Sequence, residues 1–282
     1  MMEILINELS LKGQFDNEDK FLDNLENILR ILKLIEIFDF VLLKNSMLFD
    51  VNITSSYKMV NLLALKTDRI RKLKSFIAKL SNNPPYWDDN KKHKCSDTYN
   101  YKGKNVCNTS LAESCERDKI ILSFNHRDFS EDICILLKNT ENLNIFNIID
   151  MNKFLEYLLL NKKINCFQYC QNKFKNSKLN FEEINHGFGF DSLKNSQQEK
   201  EFIQAFDLFD RTDWSNILAS DGLEYKQYTP SKSKNWFKGT KFEHINIYKF
   251  RVTQKYRCFG YRTGDMFNIL RFEIDHEISD NG

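Results

Sequence analysis

The sequence predicts an α+β protein in two parts: a mixed α/β domain over residues 1–185, then a small domain of helices followed by an antiparallel sheet over 198–282. Three observations lead to this division. Strand-like apolar runs alternate with helical periodicities through the first 160 residues. A polar stretch with weak periodicity, "NSKLNFEEINHGFGFDSLKNSQQ", interrupts that alternation. Near the end, "YKFRVTQKYRCFGYRTGDMFNILRFEIDH" reads as three consecutive strands joined by short turns.

Taken in order, "EILINEL" has the apolar density of an opening strand. Asp16 is placed to cap a helix running to about residue 35, with Phe21, Leu25, Ile28, Leu29 and Leu32 at helical spacing. The apolar segment 41–53 reads as one or two strands broken near Asn45 and Ser46. A second helix is expected over 56–80, with Arg69, Arg71, Lys72, Lys74 and Lys79 forming a basic face. It must end before Pro84 and Pro85, because a residue preceding proline is driven out of the helical region. Residues 82–108 form a long polar connection. Ser110 and Glu113 then show the spacing of a capping box at the head of a short helix. "KIILSF", "DICILLK" and "LNIFNII" read as strands and "MNKFLEYLLL" as a helix. Cys166 and Cys170, four apart, belong to a further helix as buried thiols. After the polar stretch, Phe202, Ala205, Phe206 and Phe209 make one helical stripe.

The 41 Lys and Arg against 39 Asp and Glu leave a formal charge of +2, so a polyanionic partner has to be argued from local clustering. The opening "MMEILINELSL" lacks the features of a signal peptide, and the densest apolar run is broken by Arg30, Lys33, Glu36 and Asp39. The expectation is a cytoplasmic protein with no membrane partner. Seven cysteines without an export signal favour reduced thiols over a disulfide framework.

The C-terminal strands allow their register to be deduced, because partners across a sheet share a face and the apolar face should be continuous. A three-residue turn pairs Val252 with Tyr256, Phe250 with Cys258 and Arg251 with Arg257. A second loop at Thr263–Gly264–Asp265 pairs Cys258 with Leu270 and sets Arg257 beside Arg271. The expected result is a row of guanidiniums about 5 Å apart, opposite a face of Phe250, Tyr256, Cys258, Leu270 and Phe272. Lys249 and Lys255 flank the row, and Glu273 and Asp275 continue it. Like charges opposed across a sheet are unfavourable unless neutralised. The row is therefore either paired with carboxylates or built to hold an anion, since forked guanidiniums suit phosphate oxygens.

This unit resembles the RelE/HigB-type toxin fold: helices first, a Lys238–Gly239 turn, a "Y-x-F-R-V" strand, a "Y-R-x-x-x-Y" strand and a third ending at His276. The resemblance covers about 83 residues from Lys200 onward. It implies messenger RNA as partner and metal-independent RNA cleavage, with no cofactor, in a bacterial toxin–antitoxin or phage-defence setting with an antitoxin or defence-system partner protein. The transferred roles are charge stabilisation by Arg251 and Arg257 and proton transfer by His276. Lys249, Lys255, Arg271, Tyr261 and Lys238 are the expected RNA contacts. Unlike such toxins, the chain carries about 195 residues ahead of the unit and acids around His276.

Two readings of other classes stand beside it. One is a non-catalytic module that binds nucleic acid or protein through the same face. The other is a metal-dependent hydrolase in the N-terminal domain, centred on Glu113, Glu116 and Asp118. His93, Cys95, Cys107 and Cys115 fall within one short segment, but their spacing matches no paired-ligand zinc knuckle, so no metal is expected. "NHGFGFD" reads as a linker turn and "PPYWDD" as loop packing, with base stacking as the sharper alternative.

Overall fold

The computed structural model describes residues 1–231 and 234–275, and for 79, 81 and 82 the backbone only. The chain is α+β and divides by its contacts into two units, Met1–Tyr157 and Leu158–Gly282.

The first unit opens with β1 (Glu3–Ile6) and α1 (Glu18–Ile37). Asn17, one residue past the expected cap, accepts the Lys20 amide at 3.0 Å and starts this helix. Next come β2 (Val41–Leu43), α2 (Asp68–Asn82), β3 (Tyr99–Tyr101), β4 (Lys104–Asn105), α3 (Ser110–Cys115), β5 (Ile120–Leu122), β6 (Ile133–Lys138) and β7 (Glu141–Ile148). They form one seven-stranded sheet in the order β2-β1-β5-β7-β6-β3-β4. The block β2-β1-β5-β7 is parallel, and β6, β3 and β4 extend it antiparallel. The second expected helix is shorter than the periodicity suggests: 59–64 is a separate 3-10 turn, and Thr67 caps α2. The basic face of α2 is partly spent on acids, since Arg69 binds Asp23 at 2.6 Å and Glu26 at 2.9 Å on α1.

One face of this sheet packs Leu5, Leu43, Ile121, Leu136, Leu143 and Ile145 with Leu111, Ala112 and Cys115 of α3. Strand alternation sends Ile4, Ile6 and Leu122 to the other face, and all three are fully buried. The amphipathic helix α1 buries nine apolar side chains, among them Phe21, whose ring stacks on Phe124 at 5.6 Å.

The division falls inside α4 (Met151–Leu160), earlier than the expected boundary near 185. The cause is that α5 (Cys166–Lys173) and β8 (Leu179–Asn180) pack with the C-terminal elements. Strand β8 pairs in parallel with the last strand, and Phe174, Phe181 and Phe190 ring the side chain of Phe206. The rest of the unit is α6 (Ser196–Arg211), α7 (Trp214–Ala219), β9 (Lys226–Gln227), β10 (Tyr248–Arg251), β11 (Arg257–Thr263) and β12 (Met266–Glu273). Their sheet order is β8-β12-β11-β10-β9. The phenylalanine stripe of α6 covers one face, where Phe202, Phe206 and Phe209 meet Phe250, Phe267 and Phe272.

The first hairpin has the expected register, with Phe250 opposite Cys258 and Arg251 opposite Arg257. The second differs. Its turn closes at Thr263 and Met266, and a bulge beside Phe259 and Gly260 shifts the ladder, so that Phe259 meets Arg271 and Arg257 meets Glu273. The extra residue moves Leu270 out of the expected apolar face and into a cluster with Phe259, Tyr228, Phe237 and Ile247. At Gly260 the neighbouring strand leaves no room for a side chain: a Cβ there would lie 2.2 Å from the Asn268 carbonyl and 2.8 Å from the Phe267 ring. Gly260→Ala is therefore expected to cost about 1–3 kcal/mol through overpacking. The urea midpoint of the full chain checks this, and an unchanged midpoint would show that the bulge yields freely.

No helix among the described residues is long and apolar enough to cross a membrane.

Candidate nucleic-acid interface

The bulge rearranges the arginine row into two adjacent rows on one face of the C-terminal sheet. The first runs Lys226–Lys249–Phe259–Arg271 across β9 to β12, and the second Arg251–Arg257–Glu273 across β10 to β12. The three arginines do share a face, as the alternation requires, but Arg251 and Arg257 share the carboxylate of Glu224, while Arg271 lies against aromatic rings. The guanidinium of Arg251 is ion-paired with Glu224, whose other carboxylate oxygen lies 3.8 Å from Arg257 Nη2. Glu224 sits at a left-handed position before β9 (φ 41°), a conformation that costs a non-glycine residue energy.

Arg257 is nearly buried, and its Nη1 donates to the carbonyls of Thr253 at 2.7 Å, Tyr256 at 3.0 Å and Gln254 at 3.3 Å. It ties down the β10–β11 turn, a structural duty that the charge pattern alone does not suggest. The guanidinium carbon of Arg271 lies over the rings of Phe188, 4.2 Å from its centroid, and Trp236, 3.8 Å from its centroid. Among the described residues the buried Nε of Arg271 has no hydrogen-bond partner, and the guanidinium is held against the two rings, with the charge of Glu273 acting on it from the neighbouring row.

Lys249 is half-buried in the first row, opposite Phe259. Burial lowers the pKa of its ammonium, a tendency that Arg257 and Lys226 reinforce and Glu273 and Glu224 oppose. Lys255 lies exposed in the β10–β11 turn, and Lys238 is exposed in the segment that carries Trp236 and Phe237. Tyr261 donates to Glu183 at 2.5 Å, and that bond together with burial pushes its hydroxyl up to about 12. His276 lies outside the described residues. Lys226 and Glu224 were missed in the sequence; only the pairing of β9 with β10 shows that they join the face.

The N-terminal unit holds a second polar cluster. Glu113 does not cap its helix, a duty that falls to Thr109, which accepts the Ala112 amide. Its carboxylate is fully enclosed and accepts the amides of Lys92 and His93, each at 3.0 Å, the His93 ring at 2.6 Å from Nδ1, and Arg117 Nε at 2.6 Å. Arg117 continues to Glu3 at 2.8 Å and to the Asn90 carbonyl at 2.7 Å. The cysteine expectation needs correction here. The β3–β4 hairpin returns Cys107 to the 91–95 segment, where Cys95 and Cys107 form a disulfide with Cα atoms 5.9 Å apart. The other five cysteines are free and buried, and Cys115 packs into the core beneath α3.

Comparison with protein families, curated proteins and solved structures finds no match to this chain.

Proposed function

We propose that the C-terminal unit is a binding module for single-stranded RNA and that the corner of the sheet formed by β9, β10 and β11 is its contact surface. The supporting observation is the gathering of Lys226, Lys249, Arg251 and Arg257 on one face against the carboxylates of Glu224 and Glu273. That local excess of positive charge occurs in a chain of nearly balanced charge. Beside it, Phe188 is 53% exposed with its ring on the Arg271 guanidinium, and the Trp236 ring lies against the same group. A basic corner next to an exposed aromatic suits a strand whose phosphates pair with cations while a base stacks.

Cleavage, which the toxin resemblance implies, asks for more. A phosphate has to displace Glu224 from Arg251 and Arg257, and Tyr261 is engaged with Glu183. Binding is therefore the reading that the geometry favours, and catalysis is the stronger claim tested beside it.

Fluorescence anisotropy with a labelled single-stranded oligoribonucleotide tests both. Lys249→Ala combined with Arg251→Ala is expected to weaken binding at least tenfold, whereas Glu224→Gln is expected to tighten it by releasing the guanidinium of Arg251. Arg257→Ala is the wrong probe, because it also frees the turn carbonyls. Wild-type protein that binds no RNA at low salt, or a double variant that binds as well as wild type, would sink the proposal. Running the same mixtures on a gel reports cleavage, and growth arrest on expression in a bacterial host reports toxicity.

A further inference from the structure

We propose that His93, Cys95 and Cys107 form a thiol-gated site for a zinc-class divalent ion, closed while the two cysteines are bonded to each other and open once they are reduced. Their ligand atoms all lie within 4.8 Å of one another. A tetrahedral zinc ion with bonds of about 2.3 Å to sulfur and 2.0–2.1 Å to nitrogen needs such side chains at close range. The 5.9 Å between the cysteine Cα atoms allows the sulfurs to swing apart about their Cα–Cβ bonds without moving the backbone far.

The histidine is what distinguishes this place from an ordinary disulfide. His93 is buried, and its Nδ1 is 2.6 Å from the enclosed Glu113 carboxylate, which leaves Nε2 as the coordinating atom. A carboxylate behind a ligating imidazole is the usual outer support of a zinc site, fixing tautomer and ring orientation together. Glu113 is itself fixed by Arg117 and by two backbone amides. The lone pair of Nε2 is now used by the Asn108 amide at 3.1 Å, and a metal ion would take that bond's place. The Asn108 side-chain oxygen, 3.3 Å from Cys95 Sγ, or a water completes the shell. One imidazole and two thiolates form a borderline-soft donor set, suited to zinc and unsuited to calcium or magnesium.

Opening the site consumes two electrons. A cellular thiol reductant cleaves the Cys95–Cys107 bond, its own two thiols are oxidised to a disulfide, and both cysteines are left as thiols. Coordination then releases their two protons to solvent as the thiolates bind the ion. Cys95 is exposed, so the reductant can reach it, and Lys91 Nζ at 3.7 Å favours its thiolate. Cys115 takes no part: it is buried on α3 with its thiol directed at the Leu111 carbonyl.

The test titrates the full chain with cobalt(II) alone, after reduction by a phosphine or oxidation by diamide. The reduced protein is expected to bind one equivalent with sulfur-to-cobalt charge-transfer absorption and tetrahedral ligand-field bands, both lost on adding zinc, whereas the oxidised protein shows neither. Cys95→Ser, at an exposed position, is expected to weaken binding at least tenfold, with Cys107→Ser as an independent check and Cys115→Ala unaffected. Equal binding by oxidised and reduced protein, a reduced protein without sulfur absorption, or an unaltered Cys95→Ser titration would each overturn the assignment.

Discussion

Replacing Glu113 with alanine is expected to destabilise the N-terminal unit by about 3–5 kcal/mol, because it breaks a buried ion pair and removes the acceptor of several hydrogen bonds at once. Arg117, whose side chain is 3% exposed, loses the nearer of its two carboxylates, and the His93 ring, the buried His93 amide and the part-buried Lys92 amide lose their acceptor. Hydrogen exchange across 3–6, 92–95 and 113–122 measures this region directly. A change within the ~0.5 kcal/mol typical of surface substitutions would show that the network is ornamental.

The same carboxylate gives a pH dependence whose sign is fixed. Burial tends to raise its pKa, but the His93 amide and ring, the Lys92 amide and Arg117 outweigh burial and hold it below the ordinary value of 4.5. A carboxylate lowered by folding stabilises fully above its unfolded pKa and loses that contribution as pH falls through the folded one. Wild-type protein should therefore lose this stability on acidification below about 4.5. The Glu113→Gln variant, already weaker at neutral pH, lacks this component of the acid loss.

Phe206→Ala is the second large effect expected, about 3–5 kcal/mol in the C-terminal unit. The Phe206 side chain is fully buried, with the rings of Phe174, Phe181, Phe190, Phe202, Phe250 and Phe272 around it. These neighbours come from several separate segments of the unit, so no single side chain can collapse into the gap. Near-UV circular dichroism during urea unfolding reports on these packed rings. A midpoint equal to wild type would mean that they repack around the missing one.

Much of this architecture was legible because it depends on local rules. The paired prolines end α2 where they should, the α6 stripe faces the sheet, and side-chain parity alone selects the Arg251–Arg257 pairing. Where reading failed, the deciding partner lay far along the chain. Ser110 and Glu113 have the spacing of a capping box, yet Glu113 is claimed by a loop some 20 residues earlier. The disulfide closes across a hairpin whose two strands are too short to show a period. Leu270 looks like any alternating strand residue; only the close approach at Gly260 shows that the ladder slips there. That carboxylates could pair with the arginine row was legible, but Glu224 as the one that does was not, because "DGLEY" carries no pattern that marks it as their partner.

The C-terminal sheet is covered on both sides, by phenylalanines of α6 on one and by Tyr228, Trp236 and Phe237 on the other. A ligand therefore meets a corner rather than a plane, and β9 to β11 span only about 10 Å. Such a footprint accommodates few phosphates, and each one neutralised on a single strand adds about −0.7 to the logarithmic salt slope. Binding of RNA at this corner would respond only weakly to ionic strength, and discrimination would fall to the base that stacks on Phe188.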